Sequence, residues 1–306
     1  MRRSVSTISD ELRRNLVKGS YDPAKAQHKS YVRRQEAKYQ GMKIVKHGEL
    51  RTYVDGNLYA DQSPEAIAGR VKMHEKHLPS VSKDSIRRYI ASIYGRKVEW
   101  HRSIQRKKRR WRKKRIKVTQ LKDRTFIDMR PQYIQNRERV GDAEADFIVS
   151  GNGGAGIILT LACRKIRVSF LEQILEVTIP HVHAAFQSIK ERFPELHSIT
   201  IDNDILLRKH KELEVLLGVR IYFCHPYHSW EKGTIENTNK YIRRDIPKGS
   251  DLSKYSWQFI KKLERKLNRR YMKVLNYKTP HELLQEHRKR KKRLRALKKV
   301  GVRIEG

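Results

Sequence analysis

A chain of 306 residues exceeds one typical domain, and its 70 Lys and Arg against 33 Asp and Glu give a formal charge of +37. That excess favours a polyanionic partner through counterion release, nucleic acid above all. No run reaches the roughly 18 apolar residues of a membrane span, Met1-Arg2-Arg3-Ser4 leads into no apolar export signal, and Cys163 and Cys224 lie too far apart to suggest a disulfide framework or a zinc site. A cytoplasmic, nucleoid-associated protein with two buried thiols and no membrane partner is the expectation.

In chain order, Val5, Ile8 and Leu12 stand at helical spacing behind serines able to cap the helix start. Arg13 and Arg14 near its end suit a recognition helix, although the pattern taken alone is more often an ordinary capped surface helix. Residues 1–20 are expected to hold this helix, and 21–62 to form a linker. Ser63-Pro64-Glu65 then opens a helix through Ile67 and Val71, and Ser82 caps another that carries Ile86, Tyr89, Ile90 and Ile93. Lys83, Arg87 and Arg88 lie on the other face of that second helix. The pair, residues 63–95, fits a helix-turn-helix with a long connection, or plain helix packing. Arg96 to Lys117 holds 13 Lys and Arg and one acid in 22 residues, with Trp100 and Trp111 interspersed. It reads equally as a phosphate-tracking segment or a solvated connector, within a basic linker expected to run to residue 139.

From Val140 to Asp245 the charge is nearly balanced, with 13 Lys and Arg against 14 Asp and Glu, whereas the other 200 residues hold 57 against 19. A folded core set between basic arms is the natural reading. Strands are expected at 145–149, 157–163 and 166–172, with a glycine turn at 151–154. A helix at 180–192, a strand at 198–201, a helix at 205–217, a strand at 219–224 and a helix at 231–245 follow. This order describes an α/β fold with a mixed sheet of ribonuclease-H type, residues 140–287, preceded by all-helical modules. Arg288 to Lys299, nine Lys or Arg in twelve residues, closes the chain as a basic helix or tail to residue 306.

Asp146 sits inside the apolar run Ala145-Asp146-Phe147-Ile148-Val149, where an acid is costly unless paired or bound to metal. The layout adds Asp202 at the end of the fourth strand and Glu236 on the helix after the fifth. Carboxylate oxygens are the hard ligands that Mg²⁺ and Mn²⁺ prefer, and two such ions about 3.5–4 Å apart can stabilise attacking and leaving oxygens at phosphorus.

The segment Tyr222-Phe223-Cys224-His225-Pro226-Tyr227-His228-Ser229-Trp230-Glu231-Lys232-Gly233-Thr234-Ile235-Glu236-Asn237-Thr238-Asn239, with Pro247-Lys248-Gly249-Ser250-Asp251-Leu252, resembles bacterial insertion-sequence transposases of the IS-thirty type. These are members of the DDE transposase and retroviral-integrase superfamily. Gly141-Asp142-Ala143-Glu144-Ala145-Asp146 is similar to the segment of the first catalytic aspartate, and Thr200-Ile201-Asp202-Asn203 to that of the second. Glu236 follows Asp202 by 34 positions, as the family pattern leads one to expect. The resemblance implies a DNA transposase that cleaves inverted-repeat ends and joins them to target DNA, works as a homo-oligomer, and holds two metal ions on Asp146, Asp202 and Glu236. Asp146 is then the shared ligand. It also implies that Arg243, with Lys240 on roughly the same helix face, contacts DNA beside the site. One departure is that Asn203 is followed by Asp204-Ile205-Leu206-Leu207 where the family has Gly-Thr-Glu. A noncatalytic DNA-binding repressor and a nuclease without strand transfer remain the alternatives. The resemblance extends upstream and implies that residues 1–20 are part of a first helix-turn-helix and 63–95 a second. Because the chain opens in what resembles the second helix of the first one, the reading frame is expected to continue upstream of Met1.

Overall fold

The computed structural model describes residues 4–17, 19–38, 42–104, 123–225 and 229–299. Two compact units divide the chain, Met1–Arg102 and Ser103–Gly306.

The first unit is helical. Helix α1 (Val5–Asn15) starts as expected, the Ser4 hydroxyl accepting from the Thr7 N–H at 3.3 Å. A short ribbon, β1 (Leu16–Val17) with β2 (Ser20–Tyr21), leads to α2 (Pro23–Lys38). Val5, Ile8 and Leu12 are exposed. Helices α3 (Met42–Lys46), α4 (Gly48–Tyr59), α5 (Pro64–Met73), α6 (Lys83–Ala91) and α7 (Arg96–Ile104) follow. Ser63 and Ser82 cap α5 and α6, each hydroxyl accepting a backbone N–H at 3.1 Å. The expected linker therefore needs correcting. Ile44, Leu50, Val54 and Leu58 pack with Ile67, Val71, Ile86, Tyr89 and Val98 in one core, so residues 42–62 belong to the folded helical module. Ile93, expected on the apolar face of α6, is exposed in a 3₁₀ turn beyond that helix. Of the basic stretch, Arg96 to Ile104 forms α7, and residues 105–117 lie outside the described residues.

In the second unit, the short α8 (Gln132–Gln135) precedes a five-stranded sheet. Its strands are β3 (Asp142–Val149), β4 (Ile157–Cys163), β5 (Ser169–Ile174), β6 (Ser198–Ile201) and β7 (Arg220–Phe223), in the order β5-β4-β3-β6-β7. β3, β4 and β5 run antiparallel, whereas β6 and β7 extend the sheet in parallel from β3. Three antiparallel strands, with the first at the centre and two parallel strands beyond it, form a ribonuclease-H-like sheet. Side chains alternate across it. Ala143, Ala145, Leu159, Leu161, Ile199 and Ile201 face the core shared with α9 (Ile179–Arg192) and α10 (His210–Leu217). Ile148 and Ile158 face the opposite core, shared with α11 (Gly233–Asp245) and α12 (Trp257–Asn268).

Gly141, just before β3, has φ +106°, and a Cβ there would lie 1.8 Å from the Glu195 carbonyl oxygen, so only glycine fits. The outer strand β5 is closed by α12 side chains. The Ser169 N–H donates to Asn268 Oδ1 at 2.8 Å and the Leu171 N–H to Glu264 Oε2 at 2.6 Å, so this edge offers no template for strand pairing there.

Several expected bounds shift: β3 begins three residues early, at Asp142, and a 3₁₀ turn at Ser229–Lys232 precedes α11. β5 begins at Ser169 because Arg167 turns the chain at φ +61°; Ile166 and Val168 still enter the core from the turn. The helix expected over 205–217 breaks into a 3₁₀ turn at Ile205–Leu207 and α10. Arg288–Lys299 continues α13 (Pro280–Lys299), with Arg288 paired to Glu195 at 3.0 Å. No helix among the described residues is long and apolar enough to cross a membrane.

Candidate active site

Strand parity puts Glu144 and Asp146 on the face of β3 that receives α11. Glu144 is buried, and its Oε2 accepts the N–H groups of Thr234 at 2.8 Å and Ile235 at 3.0 Å. Its other oxygen meets the buried Arg164 guanidinium at 3.1 Å. A carboxylate at a helix N-terminus satisfies orphan donors and complements the helix dipole. Glu144 thus fixes the first turn of α11, the turn that carries Glu236.

One turn further along α11, Asn239 Nδ2 donates to Asp146 Oδ2 at 2.6 Å, while Asn239 Oδ1 is buried without a hydrogen-bond partner. Just before α11, Lys232 is 3% exposed, and its ammonium lies 3.2 Å from Asp146 Oδ1 and 2.7 Å from Asp202 Oδ2. Burial pushes the Asp146 carboxyl above its ordinary value, against the pull of Lys232. For Lys232, burial acts downward but is outweighed by the Asp146 and Asp202 carboxylates, which hold its ammonium above the usual lysine value.

The structure thus brings Asp146 and Asp202 together. Glu236 is exposed on the first turn of α11, three residues before Asn239. Among the described residues no group of three His, Cys, Asp or Glu side chains is close enough to hold a metal ion. The donor chemistry at the pair nevertheless suits a hard divalent cation: two carboxylates converge on one positive group beside an amide oxygen without a partner. Arg243 is half-buried; burial lowers its pKa while the Asp146 charge opposes that shift. Lys240 is exposed.

The loop around Asp202 is pinned from both sides. Asn203 accepts from Arg124 and donates to the Cys224 carbonyl at 2.7 Å, tying the end of β6 to that of β7. Asp204 turns to its own chain, Oδ1 accepting the Leu206 N–H at 2.9 Å. His225 is held by Asp128 at 2.8 Å and Glu231 at 3.2 Å, its ring stacked on Phe126. Residues 226–228 of the motif lie outside the described residues. The Pro247–Leu252 segment supports the hairpin between β3 and β4, the Gly151 N–H donating to the Ser250 carbonyl and the Leu252 N–H to Ser150 Oγ, both at 3.0 Å. In the helical unit Arg13, Arg14, Lys83, Arg87 and Arg88 are all exposed. Arg13 pairs with Asp10 at 2.9 Å and Arg87 with Asp84 at 3.1 Å.

Sequence reasoning alone does not single out Glu144, Lys232 and Asn239. Their spacing carries a signal all the same: Glu144 is two residues before Asp146 on a strand, and Lys232 and Asn239 lie four before and three after Glu236.

No protein-family model matches the chain. The transposase of insertion sequence IS4351 from Bacteroides fragilis is 35% identical over 283 residues, covering 90% of this chain and 85% of that protein. The transposase InsI of IS30A from Escherichia coli K12 is 30% identical over 301 residues, covering 93% and 76%. Among solved structures, the catalytic core of bovine immunodeficiency virus (BIV) integrase aligns with a TM-score of 0.37 and 18% identity, over 49% of this chain and 97% of that one. On the strength of these two transposase likenesses, the chain belongs to the bacterial insertion-sequence transposases, in the family that includes the IS30 enzymes.

Proposed function

We propose that this chain cleaves the inverted-repeat ends of an insertion sequence and transfers them to target DNA, with Asp146, Asp202 and Glu236 as its metal ligands. The observation that carries the reading is the convergence of Asp146 and Asp202 on one cation, beside the helix turn that bears Glu236. When bound, two Mg²⁺ or Mn²⁺ ions supply an activated water or 3′-hydroxyl and neutralise the leaving oxygen. The chain's own residues do the rest. Glu144 holds α11 in register with β3, Asn239 orients Asp146, and Lys240 and Arg243 meet DNA phosphates along α11. In-line attack at phosphorus needs no covalent protein–DNA intermediate.

End binding falls to the helical unit, through Arg13 and Arg14 on α1 and Lys83, Arg87 and Arg88 on α6. Bringing two ends together calls for a homo-oligomer. The test is to incubate the purified protein with labelled end DNA and Mg²⁺ or Mn²⁺, and to score nicked and joined products separately. Both products are expected. Binding with neither product supports a DNA-binding repressor, and nicking without joining a nuclease.

A further inference from the structure

A buried ammonium is costly unless it is paired. Lys232 directs its charge at the two carboxylates assigned above as metal ligands, 3.2 Å from Asp146 Oδ1 and 2.7 Å from Asp202 Oδ2. The second Asp146 oxygen is already taken by Asn239. Mg²⁺ demands oxygens at about 2.0–2.1 Å. An ion bound to the same Asp146 and Asp202 oxygens therefore overlaps the ammonium, and the two cations exclude each other. Lysine is suited to such an exchange, being a compact charge on a flexible four-carbon stem.

We propose that Lys232 is a tethered counter-cation that alternates with the divalent ion at the Asp146–Asp202 pair. In the metal-free enzyme it holds the two carboxylates together, and it withdraws when metal loads. The proposal rests on the reading of Asp146 and Asp202 as metal ligands. It makes Lys232 a positioning residue whose removal has opposite effects on the two states. Without the lysine the empty site is destabilised by facing carboxylates, and the metal binds without a competitor. A lysine that merely kept the site in shape gives the reverse for metal, with weaker binding once it is replaced.

The test is Mn²⁺ binding to the full chain, followed by electron paramagnetic resonance, for the unaltered protein and for Lys232→Gln, Lys232→Met, Lys232→Arg, Asp146→Asn and Asp202→Asn. Lys232→Gln and Lys232→Met are expected to bind the tightest ion about tenfold more strongly or better, and Lys232→Arg to stay near the unaltered value. Equal or weaker binding by both neutral variants overturns the proposal. Loss of that ion in Asp146→Asn and Asp202→Asn shows that the parent reading holds whatever Lys232 does. Unaltered binding in both removes the parent reading, and the proposal with it. A second measurement needs no variant: amine-acylation footprinting by mass spectrometry should find Lys232 protected without metal and labelled at saturating Mn²⁺. Protection that persists under saturating metal overturns the exchange.

Discussion

Glu144 Oε2 accepts the backbone N–H of Thr234 at 2.8 Å, so a strand residue two positions from Asp146 caps the helix that carries Glu236. Glu144→Ala removes that cap and leaves Arg164 buried without its carboxylate, a loss expected to cost about 3–5 kcal/mol. Glu144→Gln keeps an acceptor for the N–H groups and should cost less. Urea unfolding of the sheet unit, followed by exposure of its two cysteines, measures both. Equal stability of Glu144→Ala and the unaltered protein contradicts the capping role.

Those cysteines are themselves predicted to be inert in the folded protein. Burial pushes the Cys224 thiol up to about 12 and raises Cys163 as well. A raised thiol pKa means the neutral form dominates at pH 8, and the thiolate is the reactive species. A thiol-reactive disulfide reagent should therefore label neither cysteine in native protein at pH 8 and both in denaturant. Rapid native labelling of either one contradicts the burial that the sheet imposes.

Asp204 stands where the family has glycine, and its carboxylate caps a 3₁₀ turn. Asp204→Gly should lower stability by only a few tenths of a kcal/mol, since glycine is itself a tolerated cap, and it should keep or improve cleavage. Loss of cleavage with unchanged folding makes Asp204 a ligand and displaces Asp202 from that role.

DNA binding should depend steeply on salt, and the Arg96–Lys117 stretch should set much of the slope. Neutralising Lys107, Lys108, Arg109 and Arg110 together is expected to flatten log affinity against log salt by about 0.9 for each duplex phosphate that the variant leaves unneutralised. An unchanged slope reduces this stretch to a spacer.

The sheet is legible in the sequence because its strands stand out as short apolar runs, buried on both faces, and an aspartate interrupts one of them. Parity puts Asp146 on the same face as Glu144, and the structure adds that α11 covers that face. Helix α4 escapes the sequence reading although Leu50, Val54 and Leu58 repeat at helical spacing, because Gly48 and Gly56 weaken the local helix signal. Ile166 and Val168 imitate a strand but serve the core from a turn. Lys232 is invisible for another reason. A lysine reads as surface until the fold shows two carboxylates at its tip.

Asp146, Asp202 and Glu236 are proposed to perform the DNA chemistry together, and cleavage of labelled end DNA by Asp146→Asn, Asp202→Asn and Glu236→Gln tests this most directly. Each removes a ligating charge without touching the basic arms. Every variant is predicted to bind the ends nearly as well as the unaltered protein while yielding neither nicked nor joined product in Mg²⁺ or Mn²⁺. Normal cutting by any one of the three contradicts the account and removes that residue from the site.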